Sequence, residues 1–168
     1  MTENSADSTS RVQELNVDRI QADPGRFQSR SALLQDAFDS DLSDVTIYND
    51  DFAGLLSVWR DPSDGAIYLV DGHRRVDLAR RSRTSQVLVQ FLSSSTAGEA
   101  FAKGILINIV KWRFDSDARV GMACACRREA LEKAFAEHRL DPASAIAMEL
   151  FEYFPDLKVK YHSPERGI

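Results

Sequence analysis

Long apolar runs are missing from this chain. No stretch approaches the roughly 20 residues that a membrane helix needs. The first ten residues, Met1 to Ser10, lack the apolar centre of a secretory signal; they are polar and acidic, and read as a disordered leader on a cytoplasmic protein. Cysteine is nearly absent, with only Cys124 and Cys126. Residues two apart on a helix face different ways, so this pair suits neither a disulfide nor a zinc site, and both read as small buried residues. An excess of positive charge is lacking too. The net charge of −5 argues against a surface that coats duplex nucleic acid without regard to sequence. No internal repeat is present.

What remains is an ordinary soluble composition, 28% charged and 43% hydrophobic over 168 residues, enough for one domain with a real core. The charge is unevenly placed. Residues 1–70 hold 13 acidic and 5 basic side chains, residues 71–128 hold 11 basic and 5 acidic, and residues 129–168 hold 8 acidic and 5 basic. A local basic site on an acidic protein suits a small phosphorylated ligand or a single strand; a solvated basic helix face is the alternative.

The basic block opens at the most informative stretch of the chain. Ile67-Tyr68-Leu69-Val70 reads as a buried strand, Asp71-Gly72 as a turn, and His73-Arg74-Arg75-Val76-Asp77-Leu78-Ala79-Arg80-Arg81 as a helix with Val76 and Ala79 on one face. Strand, glycine turn and cationic helix start form a phosphate cradle. Glycine lets the backbone approach closely, the first N–H groups and the positive dipole end face the anion, and arginines add forked donors.

Around this stretch the pattern predicts an α+β protein. Val12 to Ile20 alternates as a first strand with Leu15, Val17 and Ile20 inward. Ala22-Asp23-Pro24-Gly25 is a turn, Phe27 to Arg30 a loop, 31–40 a short helix, and 41–52 an acidic loop. Leu55 to Trp59 and Ile67 to Val70 are strands joined by an Asp61-Pro62-Ser63-Asp64-Gly65 hairpin turn. A helix over 73–82 leads to a strand over Gln86–Leu92. Thr96 and Glu99 have capping-box spacing for a helix running to about 110. Residues 116–139 and Asp141 to about 153 are helical, with Pro142 in the first turn of the second. Pro155 ends it and a tail follows. The expected division is a leader 1–10, a mixed-sheet domain 11–112, a C-terminal helical segment 115–154 and a tail 155–168.

The order of elements, with Ile20 before the Pro24 turn, Gln28-Ser29-Arg30, and Gly72-His73-Arg74-Arg75 at a strand end, resembles the ParB/sulfiredoxin-like superfamily. A second signature of ParB proteins, Glu-Asn-x-x-Arg, aligns with Ile107-Asn108-Ile109-Val110-Lys111. The resemblance covers 11–112 and implies a small nucleotide-binding α+β domain. It implies ATP or CTP as ligand, with Mg²⁺ alongside. It assigns the phosphates to Gly72, Arg74 and Arg75, with Arg30 approaching from the loop and Asn108 and Lys111 from the later helix. His73 and Asp71 are the candidates for chemistry; no metal cluster is expected. Relatives end this strand in Gly-Glu-Arg-Arg or, as in the serine-kinase type, Gly-His-x-Arg. The chain departs from the first pattern at His73, from the second signature's glutamate at Ile107, and from its arginine at Lys111, which keeps charge without a fork. No cysteine flanks the turn, which argues against sulfiredoxin-type reductase chemistry.

Three functions fit. The first is a ParB-like nucleotide-binding protein of plasmid, phage or chromosome biology, with NTPase or DNase activity on DNA. The second is a non-catalytic adaptor acting through a protein partner of residues 115–154. The third is a small-molecule kinase of the serine-kinase type, with Glu14 or Asp18 as base. The last helix carries Glu149 and Glu152 and does not resemble a DNA recognition helix. Trp59 and Trp112 read as core or rim aromatics, and Asp115 and Asp117 as a helix-start cap.

Overall fold

A computed structural model describes residues 11–27, 48–49, 54–112 and 118–162, without the side chains of 111–112 and 118–124. The leader, Gln28 to Arg30, the expected helix at 31–40, most of the acidic loop, Asp115, Asp117 and the side chains of Trp112 and Cys124 therefore lie outside the described residues.

Among the described residues, five strands form one mixed sheet: β1 (Val12–Asn16), β2 (Ile20–Gln21), β3 (Leu56–Arg60), β4 (Ile67–Asp71) and β5 (Gln86–Phe91). The helices are α1 (Pro24–Phe27), α2 (His73–Arg81), α3 (Ala97–Trp112), α4 (Ala118–Ala136), α5 (Ala145–Tyr153) and α6 (Pro155–Tyr161). The α+β class expected from the sequence is what the chain adopts. The strand order is β1-β5-β3-β4-β2. β1 pairs antiparallel with β5, β5 parallel with β3, β3 antiparallel with β4, and β4 parallel with β2.

The expected single strand from Val12 to Ile20 is instead two strands on opposite edges of this sheet. Asn16 is the reason. Its side chain accepts a hydrogen bond from the Asp18 N–H at 2.9 Å and opens a 3-10 turn over Val17–Arg19. Five flat strands at about 4.8 Å spacing would hold their edges ~19 Å apart. The four steps from Asn16 to Ile20 reach roughly 14 Å even when extended. The sheet must therefore curl until its edges meet. Leu15, Val17 and Ile20 are buried as expected, because the turn returns each of them to the same interior.

Strand alternation then sorts two cores. Leu56, Val58, Ile67, Leu69, Val87 and Val89 join Leu15, Val17 and Ile20 on the face covered by α2, through Val76, Leu78 and Ala79. Trp59 and Val70, on the opposite face, join Phe27, α3 and the C-terminal helices. Burial on both faces is why β3 and β4 read as nearly continuous apolar runs. Trp59 is a core residue, and its indole N–H donates to the Ser94 carbonyl at 2.8 Å. In the β3–β4 hairpin Asp61 accepts from the Ser63 N–H and hydroxyl at 2.9 and 2.7 Å, closing the expected turn.

Four other expectations are corrected. Ala22–Gly25 is not a bare turn: Asp23 accepts from the Arg26 N–H at 3.3 Å, Pro24 sits in the first turn, and α1 buries Phe27. Helix α5 begins at Ala145, because Ser144 rather than Asp141 caps it, accepting from the Ala147 N–H at 3.3 Å. The chain does not become a tail at Pro155; proline opens α6, which buries Leu157. Cys126 is half-buried rather than buried. At α3 the Glu99 N–H donates to Thr96 Oγ1 at 3.2 Å, while the Glu99 carboxylate turns to the Ser95 hydroxyl.

Helix α6 is held on both sides. Tyr161 stacks on Phe135 at 5.2 Å, and Phe135 on Phe151 at 5.4 Å. Arg128 pairs with Asp156, and Lys160 with Glu132. The Arg128 hydrogen bond holds the Asp156 carboxyl below its ordinary 3.8, and the Lys160 hydrogen bond holds Glu132 below its ordinary 4.5. Carboxyls lowered by folding stabilise above their ordinary values and lose that contribution as pH falls through the folded ones. Acidification from pH 7 to below 3.8 is therefore expected to loosen α6, read from the Leu157 methyl resonances, and Asp156→Asn should flatten that response. An unchanged acid response in Asp156→Asn would exclude the clasp as its source.

Gly98 supports this packing from α3: a Cβ there would overlap the Arg139 carbonyl, whereas at Gly25 it would meet nothing nearer than 3.4 Å. Gly98→Ala is expected to cost about 1–3 kcal/mol or more in urea unfolding, as overpacking does, and Gly25→Ala far less. Equal costs would refute the close approach.

Candidate functional site

The strand–turn–helix read from the sequence is present. β4 ends at Asp71, Gly72 has φ +109° and ψ 26°, and α2 starts at His73. The backbone at Gly72 favours glycine, and a Cβ there would lie 2.5 Å from Leu56 Cδ2, which would have to shift. The first bond of the helical ladder runs from the Val76 N–H to the Gly72 carbonyl at 2.9 Å. The N–H groups of His73, Arg74 and Arg75 precede it, at the positive end of the helix.

Asp71 is the hub of the side chains here. Its Oδ2 accepts from Arg75 Nη2 at 3.1 Å and its Oδ1 from Asn108 Nδ2 at 3.0 Å. Arg75 folds back across Gly72 and donates through Nη1 to the Leu55 carbonyl at 3.0 Å. The guanidinium thus ties the end of β4 to the entry of β3. Asp71 and Arg75 side chains are only 19% and 23% exposed, where a charge pair is less screened than at the surface. Asn108 is buried, and its amide also donates to the Gly104 carbonyl at 2.9 Å. That second bond answers why a polar amide sits in the apolar run Ile105 to Val110.

Gly104 explains how Asn108 reaches Asp71. A Cβ at Gly104 would stand 2.6 Å from Val70 Cγ1, so α3 crosses β4 in close contact, with Asn108 one turn further on. Sequence reasoning missed Gly104 and Leu55. A glycine inside an otherwise apolar helix signals close packing and could have been found. Leu55 acts through its carbonyl, which no side-chain pattern reveals.

Of the residues named in advance, Asp71, Gly72, Arg75 and Asn108 come together. His73 and Arg74 are half-buried in the first turn of α2. Arg30 and the side chain of Lys111 lie outside the described residues. Glu14 and Asp18 are exposed, Glu14 on edge strand β1 and Asp18 in the 3-10 turn. Among the described residues, no group of three or more His, Cys, Asp or Glu is placed to hold a metal, and no helix is long and apolar enough to cross a membrane. In the C-terminal helices Arg127 is buried and Arg128 is paired with Asp156 and Glu132, while Glu149 and Glu152 are exposed on α5.

No family model and no curated protein matches the sequence. Among solved structures, the chain is similar to the C-terminally truncated chromosome-partitioning protein ParB from Caulobacter crescentus, crystallised with CTP-gamma-S. The identity is 14%, the TM-score is 0.38, and the match covers 86% of this chain and 98% of that one.

Gly72→Ala should lower unfolding free energy by about 1–3 kcal/mol through backbone strain alone, with the Leu56 clash adding to it. Equilibrium urea unfolding measures this. A loss under about 0.5 kcal/mol, the ordinary surface value, would mean the turn is not constrained as described.

Proposed function

We propose that this chain is a ParB-like nucleotide-binding protein whose phosphate site is the turn from Asp71 to Arg75. One observation carries the reading: a glycine with φ +109° joins a strand to the N-terminus of a nine-residue helix whose first three residues are His73, Arg74 and Arg75. Three consecutive N–H groups, the helix dipole and two guanidiniums at one end of a strand suit a phosphate chain.

On this reading Gly72 and the first turn of α2 cradle the phosphates, and Arg74 contributes charge. Asp71 is a positioning residue. With one oxygen on Arg75 and the other on Asn108, it fixes the angle of the turn. Arg30 and Lys111 are further phosphate ligands on the grounds of the sequence resemblance. A nucleotide's own phosphates supply most of the ligands that Mg²⁺ needs, so a dedicated protein cage is not required. His73 is the side chain assigned to chemistry, whether hydrolysis of NTP or cleavage of DNA. The exposed Glu149 and Glu152 on α5 argue against DNA contact through that helix.

A second reading is a non-catalytic adaptor, favoured by the exposure of Tyr153 on α5 and Val159 on α6, at 39% and 74%. The two differ in turnover and agree on ligand-induced stability.

Thermal unfolding with ATP, CTP, GTP and inorganic phosphate, with and without Mg²⁺, tests the site. A nucleotide at 100 times its Kd should stabilise the native state by about 2.7 kcal/mol. Arg74→Gln and Arg75→Gln should each reduce the shift; Arg74→Gln serves if loss of the Leu55 tie unfolds the other. No shift with any nucleotide would refute the site. A shift without NTP hydrolysis or DNA cleavage in Mg²⁺ or Mn²⁺ would favour the adaptor.

A further inference from the structure

The curled sheet has two ends, and the turn at Gly72 occupies only one. In the β3–β4 register Ser57 pairs with Asp71 and Arg60 with Ile67, so Arg60 lies at the far end. β5 runs parallel to β3 and delivers Phe91 beside Val58; the Phe91 N–H donates to the Arg11 carbonyl at 2.8 Å. Arg11, Gln13 and Leu15 lie at alternate positions leading into and along β1, and only Leu15 is deep in the core. The interior that β1, β3 and β5 share is therefore apolar at Leu15, Val58 and Val89, and turns polar at its mouth.

A cleft of about 440 Å³ opens there, lined by Arg11, Gln13, Arg60, Phe91, Ser93 and Ser94 among others. Its size lies within the range of small-molecule sites, and the mouth of a closed or nearly closed sheet is a common place for one. No lining residue is acidic. Arg26, Arg75, Arg128 and Arg139 each meet a carboxylate within 4.0 Å. Arg11 and Arg60, like Arg19, Arg80, Arg81 and Arg83, meet none among the described residues. Arg60 instead lies over the Phe91 ring at 5.5 Å and reaches the Gly65 carbonyl at 3.4 Å. The Ser94 hydroxyl is buried, yet has no hydrogen-bond partner among the described residues. A buried hydroxyl without a partner is uncommon, and a bridging water or a ligand atom would satisfy it.

We infer that this cleft binds a small phosphate monoester, at a site separate from the Gly72 turn. The two guanidiniums supply the positive charge and forked donors that a phosphoryl group takes, and the Ser93 hydroxyl and the Gln13 amide complete its hydrogen bonds. The cleft exceeds one phosphate in size, and Phe91 offers an apolar surface for the organic part of the ester. Nothing in this inference depends on the Gly72 turn binding nucleotide.

The test is a ¹H–¹⁵N correlation titration of the full chain with phenyl phosphate and with inorganic phosphate at constant ionic strength. The expected result is saturable shifts at Arg11, Gln13 and Phe91 to Ser94, with phenyl phosphate binding more tightly than phosphate. Loss of both charge-assisted contacts in Arg11→Gln/Arg60→Gln should raise Kd by about tenfold or more. Arg74→Gln should leave these shifts unchanged. Arg11 and Arg60 are exposed, so both substitutions spare the core; Arg11→Gln alone, expected to weaken binding severalfold, provides a second variant. Shifts confined to residues 71–76, an unchanged Kd in the double variant, or no saturable shift with either probe would each overturn the inference.

Discussion

Three residues between two edge strands constrain this whole structure. Val17, Asp18 and Arg19 join strands that sit at opposite ends of the order β1-β5-β3-β4-β2, and no flat sheet permits so short a link. Closure of the sheet follows, and from it one interior that α2 covers and one outer face that α3 and the C-terminal helices cover. The two ends of the curled sheet are then the places where strands stop and polar groups collect. At one end stands Asp71 with Gly72 and at the other Arg11 with Arg60.

At the Gly72 end, order comes from a short chain of polar contacts rather than from bulk packing. Gly104 lets α3 lie against Val70, Asn108 then reaches Asp71, and Asp71 holds Arg75 over the glycine. Every member is at least half-buried, and each bond of the chain is matched by another that fixes its orientation: Asn108 to Gly104, Arg75 to Leu55. Removal of any one would leave a buried polar group without its partner, which costs more than the bond itself contributes. A helix start so fixed presents its N–H groups in one arrangement, which is the condition for selective anion binding.

The uneven charge of the sequence has a similar resolution. Among the described residues, its basic middle third is partly paired with carboxylates, at Arg75 and Arg128. Arg75 is held by Asp71 and the Leu55 carbonyl, whereas Arg80 is exposed and donates to the Ile20 carbonyl at 3.0 Å. In the C-terminal part the acidic excess meets Arg128 and Lys160 across α4 and α6 and serves to fasten a helix. Local charge counts thus overstate how much of this surface is free to attract a polyanion.

Local chemistry alone determined a good part of this protein. Alternation and turn residues made β3, the Asp61–Gly65 hairpin and β4 legible, because such signals act within a few residues. Gly72 before a helical stretch marked the candidate site for the same reason, and Asn108 stood out as a polar amide in an apolar run. Tertiary structure decided the rest. The break at Asn16 looks like continued alternation until both edges of the sheet are known. Pro155 stops one helix and starts another only because Leu157 and Tyr161 find Phe135 and its neighbours to pack on. The meeting of Asp71 with Asn108, 37 residues apart, and of Arg11 with Arg60 around Phe91, depends on which strands become neighbours. Pairing over such separations is set by burial summed across the whole sheet, a quantity no local stretch contains.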